Sequence, residues 1–276
     1  MKAFYNNTML EEQQIAISPD DLIVQRGYGI FDFFRIASGV PLFMRQHLQR
    51  FQESADKARI PFEMDIDTLA DRVNQLMKVN NQETGGIKLI LTGGISPMGL
   101  VPSDPNLIII QNKAKISEAK YYAHGTKLIS REYMRELPEV KTTNYFQSVW
   151  LHPEIKNAQA LDVLYYAGEH IFELSRSNIF LIKNGIVITP DSGVLQGITR
   201  GKVLELSKKN WPTEVRKVTL SEVYTADEVF ITSTLKKVMP VVKVDEKIIG
   251  DGKPGKMTRE IIQLFDRLVD EYTSAK

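Results

Sequence analysis

The chain has 276 residues, 43% of them hydrophobic, enough to bury one large core or two modest ones. Its 35 basic and 34 acidic side chains nearly cancel, so no overall field draws it to nucleic acid or an anionic membrane, and neither is expected as a partner. With no cysteine, disulfide frameworks and thiolate chemistry are excluded; the opening MKAFYNNTMLEEQQ carries acids where a signal peptide needs an apolar stretch, and a cytoplasmic location is expected.

After N-terminal strands, Leu48, Phe51, Ala55 and Ala58 recur at helical spacing, as do Ile66, Leu69, Ala70, Val73, Leu76 and Met77, which predicts two amphipathic helices. Gly86 to Thr92 and Leu107 to Gln111 read as short buried strands bounded by turn residues. The polar run NKAKISEAKYYAHG reads as a linker. Leu161 to Ala167 and Ile179 to Lys183 follow as strands, and Asn184-Gly185 signals a hairpin into Ile186 to Thr189. Val203, Leu204 and Leu206 mark a helix opening near Gly197, and the C-terminal helix carries Ile261, Ile262, Phe265, Leu268, Val269 and Tyr272 on one face. The pattern predicts a mixed α/β (α+β) chain of two domains: a smaller N-terminal one at 1–115, a linker at 116–125 and a larger C-terminal one at 126–276.

Four segments carry chemistry: LPEVKTTNYFQS, FELSRSNIF, VLQGITRGKV and FITSTLKKVMPV. They supply a reactive lysine, an acidic residue beside a Ser/Asn turn, and two hydroxyl-bearing turns. Pyridoxal 5'-phosphate (PLP) needs this set: an amine to condense with its aldehyde, a partner for its ring nitrogen and a phosphate cradle. In that order, with RGYGIFDFFR and LFMRQHLQRF ahead of them, the segments resemble the fold-type IV PLP enzymes. That family holds branched-chain aminotransferases, D-amino-acid aminotransferases and aminodeoxychorismate lyases. The resemblance covers nearly the whole chain and rests on the ordered set, not on any one motif. It implies two domains, a homodimer, and amino acid and 2-oxo acid substrates.

The resemblance assigns roles residue by residue. Lys141 would hold the cofactor and shuttle the substrate proton, which requires its neutral form and so desolvation or nearby positive charge. Glu173 would lie against the pyridine nitrogen, keeping the ring an electron acceptor. Tyr145 would bond the phenolic oxygen, although branched-chain members place their tyrosine one residue further on. Phosphate falls to Ile198 and Thr199 at a helix start, to the Ser233-Thr234 turn and to Arg50; Leu195 would pack on the ring. Taken alone, HLQR is a helix face with a snorkelled arginine.

For the substrate, D-amino-acid aminotransferases of the best-known type use an Arg-x-His pair, and the matching positions here are Met98 and Leu100. Arg26, before Gly27-Tyr28-Gly29, and Arg176, between Ser175 and Ser177, offer a carboxylate clamp instead; similar transaminases carry the same two arginines. Phe31, Phe33 and Met98 would line an apolar pocket in an L-selective enzyme. The expected reaction is amino transfer between an amino acid, D favoured, and a 2-oxo acid such as 2-oxoglutarate. A branched-chain L-specific transaminase, an aminodeoxychorismate lyase and a catalytically silent binding protein are the other readings. No metal site is expected, since the four histidines lack ligand spacing, and no Walker, Rossmann or G-x-S-x-G motif occurs.

Overall fold

The computed structural model describes residues 1–113 and 118–275, and the chain divides into two compact units. The first comprises Met1–Lys115, Val140–Asn144 and Tyr272–Lys276; the second comprises Ile116–Glu139 and Tyr145–Glu271. This differs from a single cut near 115, because the segment bearing Lys141 belongs with the N-terminal residues. The expected linker 116–125 begins outside the described residues; from Ala119 to His124 the chain is helical and counts with the second unit.

The first unit is built on β1 (Lys2–Tyr5), β2 (Thr8–Glu11), α1 (Leu22–Arg26), β3 (Gly29–Ala37), β4 (Val40–Pro41), α2 (Met44–Lys57), α3 (Ile66–Asn80), β5 (Gly85–Thr92) and β6 (Leu107–Asn112). Its six strands form one antiparallel sheet in the order β2-β1-β6-β5-β3-β4. The two helices predicted from periodicity are α2 and α3, and their apolar stripes, Leu48, Phe51 and Ala55 with Leu69, Val73 and Leu76, pack with Ile30, Phe34, Ile87 and Leu89. Asp65 caps α3 by accepting from the Thr68 N–H at 2.7 Å. Strand alternation places Asp32 on the same inward face as Ile30 and Phe34, so a carboxylate lies where the core should be.

The second unit contains α4 (Ala119–His124), β7 (Thr126–Glu132), α5 (Phe146–Trp150), α6 (His152–Asn157), β8 (Asp162–Ala167), β9 (His170–Leu174), β10 (Asn178–Lys183), β11 (Ile186–Thr189), α7 (Ile198–Asn210), β12 (Thr213–Val215), α8 (Leu220–Tyr224), β13 (Glu228–Ser233), β14 (Lys237–Val244), β15 (Lys247–Ile248) and α9 (Lys256–Ser274), the end of α9 counting with the first unit. Its sheet runs β12-β11-β10-β13-β14-β7-β8-β9, with β15 on β14. The Asn184-Gly185 hairpin forms as expected: both residues take positive φ, 50° and 75°, as a two-residue turn requires, and Lys183 pairs with Ile186. Among the described residues no helix is long and apolar enough to cross a membrane.

Candidate active site

In the first unit, residues 141–143 lie alongside the start of β3. The Phe31 N–H donates to the Lys141 carbonyl at 2.9 Å, Thr142 bridges Ile30, and the Thr143 N–H donates to the Gly29 carbonyl at 2.8 Å. These bonds aim Lys141 across Phe31, with Nζ 4.4 Å from the ring centroid. Lys88 Nζ lies 5.2 Å from the same centroid; burial holds the Lys88 amine below the usual lysine range. Phe33 and Lys88 are register partners on β3 and β5, so Phe31, Phe33 and Lys88 share the sheet face opposite Asp32.

Arg50 is not a snorkelled surface arginine. It is buried, and its Nε and Nη2 each donate at 2.8 Å to the two oxygens of Asp32, which is fully buried. His47, one turn earlier on α2, places Nδ1 2.7 Å from Asp32 Oδ1. Burial pushes the Asp32 carboxyl up, but Arg50 and His47 outweigh it and the net direction is down. Burial also lowers His47; Asp32 opposes that shift, while Arg50 and Lys141 add to it, so a neutral imidazole is favoured.

The second unit gathers the other expected residues. Glu173 is buried at the end of β9, where Oε1 accepts from Arg135 Nη1 at 2.8 Å and Oε2 from the Leu195 N–H at 2.9 Å. The Asn178 amide donates to the Leu195 carbonyl at 2.8 Å and reaches Glu173 Oε2 at 3.5 Å. A side chain at Gly197 would place its Cβ 2.1 Å from Asn178 Oδ1, so glycine is what lets the start of α7 approach the Asn178 amide. Gly197 is the N-cap of α7 with no side chain filling the cap; Ile198 opens the helix, and Thr199 and Arg200 are buried in its first turn. Arg200 anchors that turn by donating to the Pro190 carbonyl at 2.8 Å and to Gln196 Oε1 at 2.7 Å. Ser233 ends β13, and Thr234 follows in the turn to β14. Tyr145 is half-buried, and burial raises its phenol, with Glu173 adding to the rise and Arg135 and Arg176 opposing it, so it stays a hydrogen-bond donor.

The two candidate substrate arginines are both exposed, Arg26 at the end of α1 in the first unit and Arg176 in the turn before β10 in the second. Met98 and Leu100 are each 81% exposed, so Met98 does not join Phe31 and Phe33 in a packed apolar wall. The sequence reading missed Asp32, His47, Arg135 and Asn178. A signal existed for the first two: a charge at an inward strand position, and a His and an Arg at i, i+3 beside Leu48 and Phe51, each demand a buried partner. Among the described residues no group of three metal-ligating side chains occurs.

The class IV aminotransferase family profile matches residues 29–244. The chain belongs to that family. It is 29% identical to a D-alanine aminotransferase of Bacillus licheniformis over 271 residues, which cover 95% of this chain and 94% of that one. It shares its fold with the branched-chain amino acid aminotransferase of Escherichia coli (TM-score 0.90, 24% identity, 97% and 94% coverage) and with the T.th. branched-chain amino acid aminotransferase solved with pyridoxamine 5'-phosphate (0.89, 21%, 96% and 92%). The donor chemistry of this class IV aminotransferase fits PLP: the first unit offers an amine and a buried guanidinium, and the second a braced carboxylate, an uncapped helix start and a hydroxyl-bearing turn.

Proposed function

We propose that this enzyme is a PLP-dependent transaminase that prefers D-amino acids and passes the amino group to a 2-oxo acid such as 2-oxoglutarate. The observation that carries the reading is Glu173, a buried carboxylate braced by Arg135 and the Leu195 N–H beside the α7 start, in the family segment where a partner for the pyridine nitrogen is expected. When bound, PLP supplies an electron sink for the electrons left at the substrate Cα. Lys141 would hold it at the aldehyde carbon and Glu173 at the ring nitrogen. Tyr145 would donate to the phenolic oxygen, and Leu195 would pack on the ring. The phosphate would rest on the N–H groups of Ile198 and Thr199, the hydroxyls of Thr199, Ser233 and Thr234, and the charge of Arg50. Lys141 then takes the proton from the substrate Cα and returns it.

Because one amine serves one face, the enantiomer that reacts is set by where the α-carboxylate is held. The positions of the Arg-x-His trap hold exposed Met98 and Leu100, whereas Arg26 and Arg176, in the motifs that matched the family, are exposed guanidinium groups with no carboxylate partner among the described residues. The D-alanine aminotransferase relatives point the same way. Arg26→Ala and Arg176→Ala should each raise the D-amino acid concentration needed for half-saturation about ten- to a hundredfold while leaving the absorbance of the bound cofactor unchanged. A screen of both enantiomers decides the matter. A preference for L-leucine, L-isoleucine or L-valine, or indifference to both changes, would give the branched-chain reading its place, and pyruvate release from aminodeoxychorismate the lyase reading.

Lys88 accounts for the choice of acceptor. A half-buried amine beside the Phe31 ring suits the distal carboxylate of 2-oxoglutarate. Lys88→Met should therefore raise the KM for 2-oxoglutarate about tenfold and leave that for pyruvate within about twofold; equal effects on both would remove Lys88 from the site. The working form in this proposal is a cytoplasmic homodimer. Phe146, Val149 and Trp150 support the dimer, because they leave an exposed apolar face on α5 that a second copy would cover.

A further inference from the structure

A buried ion pair in the second unit ties together two turns that the proposed function uses separately. Lys236 lies in the turn between β13 and β14, three residues after Ser233, whose Oγ accepts its N–H at 3.1 Å. Its Nζ runs inward and donates to Asp162 Oδ2 at 3.1 Å and to Ser177 Oγ at 3.0 Å. Asp162, 1% exposed, also accepts from the Ser175 hydroxyl and, at 2.9 Å, from the Val163 N–H. Tyr122 closes the other side by donating to the Lys236 carbonyl at 3.0 Å. Ser175 and Ser177 are thus both pinned, one to the carboxylate and one to the ammonium, while Arg176 between them projects outward. The arrangement fixes the base of Arg176 and leaves its guanidinium in solvent.

We infer that Lys236 is a positioning residue: through Asp162 and Ser177 it holds the Arg176 turn in register with the Ser233-Thr234 turn, so that carboxylate and phosphate are gripped at a fixed separation. The inference rests on the reading of those two turns as the substrate-carboxylate and cofactor-phosphate contacts. A lysine stem spanning from one turn to the other transmits position because both of its ends are bonded and its partner carboxylate is buried. An ordinary stabilising pair would alter folding alone, whereas a spacer alters two binding constants.

The test uses full-length protein carrying Lys236→Met and, since that change strands a buried carboxylate, the double variant Lys236→Met/Asp162→Asn, in which no charge is left unpaired. Three quantities are measured: the melting temperature, the Kd for PLP by fluorescence titration of the cofactor-free protein, and the half-saturating D-alanine concentration. The single variant should melt lower and the double variant should recover. In the double variant the Kd for PLP and half-saturating D-alanine should both rise about tenfold, with kcat within about twofold of the parent. Parent-like values of both constants in the double variant would overturn the inference and leave Lys236 a stabilising pair. If Arg176→Ala leaves D-alanine half-saturation unchanged while the double variant weakens PLP binding, the carboxylate reading of Arg176 fails and the tether stands.

Discussion

Alanine in place of Lys141 should abolish transamination, with a fall of about four orders of magnitude or more, because the same amine both holds the cofactor and moves the substrate proton. The fold should survive. The bonds that seat this segment on β3, from the Phe31 N–H to the Lys141 carbonyl and from the Thr143 N–H to the Gly29 carbonyl, are made by backbone and do not need the side chain. Lys88 is the other amine over the Phe31 ring, but it is fixed on β5 and points to the ring from its own strand, so it does not take over. Borohydride reduction of the parent followed by peptide mapping should add the cofactor mass at Lys141, and the variant should gain none. Turnover near that of the parent in the purified variant would dismiss the assignment.

Arg50→Ala should have the largest effect on stability, because it strips a fully buried carboxylate of its bidentate partner and leaves it to His47 and the Phe33 N–H. Breaking such a pair from one side costs about 3–5 kcal/mol, and Arg50→Lys should recover only part of that, since an ammonium cannot span both carboxylate oxygens. Denaturant melts read the loss directly, and a change under about 1 kcal/mol would show that the Arg50–Asp32 pair does not hold the fold. The same cluster predicts acid sensitivity. Both groups titrate lower when folded than their ordinary values, 3.8 for Asp32 and 6.5 for His47, so on acidification the unfolded chain binds each proton first. Stability should therefore fall as pH drops through 6.5 on account of His47, and fall again below 3.8 on account of Asp32. His47→Gln should remove the first of these two declines.

Local signals carried much of this architecture. Short apolar runs bounded by turn residues placed β5, β6, β8 and β10 to within a residue at each end, and the apolar spacing of α2 and α3 reported their buried faces. Pairings made across long stretches of chain were not readable. Arg50 meets Asp32 across 18 residues, Arg135 meets Glu173 across 38 and Lys236 meets Asp162 across 74, and each depends on how separate elements pack together, which one sequence does not reveal. Polar composition misled at Ala119 to His124, where tyrosines packed on the second core make a helix out of what looked like linker. Met98, which joins Phe31 and Phe33 only in the expectation for an L-selective enzyme, faces solvent.

The seating of residues 141–143 against β3 also bears on how the chain is made. Until they emerge from the ribosome, Gly29, Ile30 and Phe31 have β5 on one side only, and their other edge offers open backbone groups flanked by apolar side chains. A nascent chain stalled before residue 140 would expose that edge to any passing strand, including its twin on the next ribosome. The short stretch that brings the reactive amine therefore also acts as the guard of a sticky edge, so Thr143→Pro, which removes the N–H that bonds the Gly29 carbonyl, should show up first as aggregation during synthesis and only then as lost turnover.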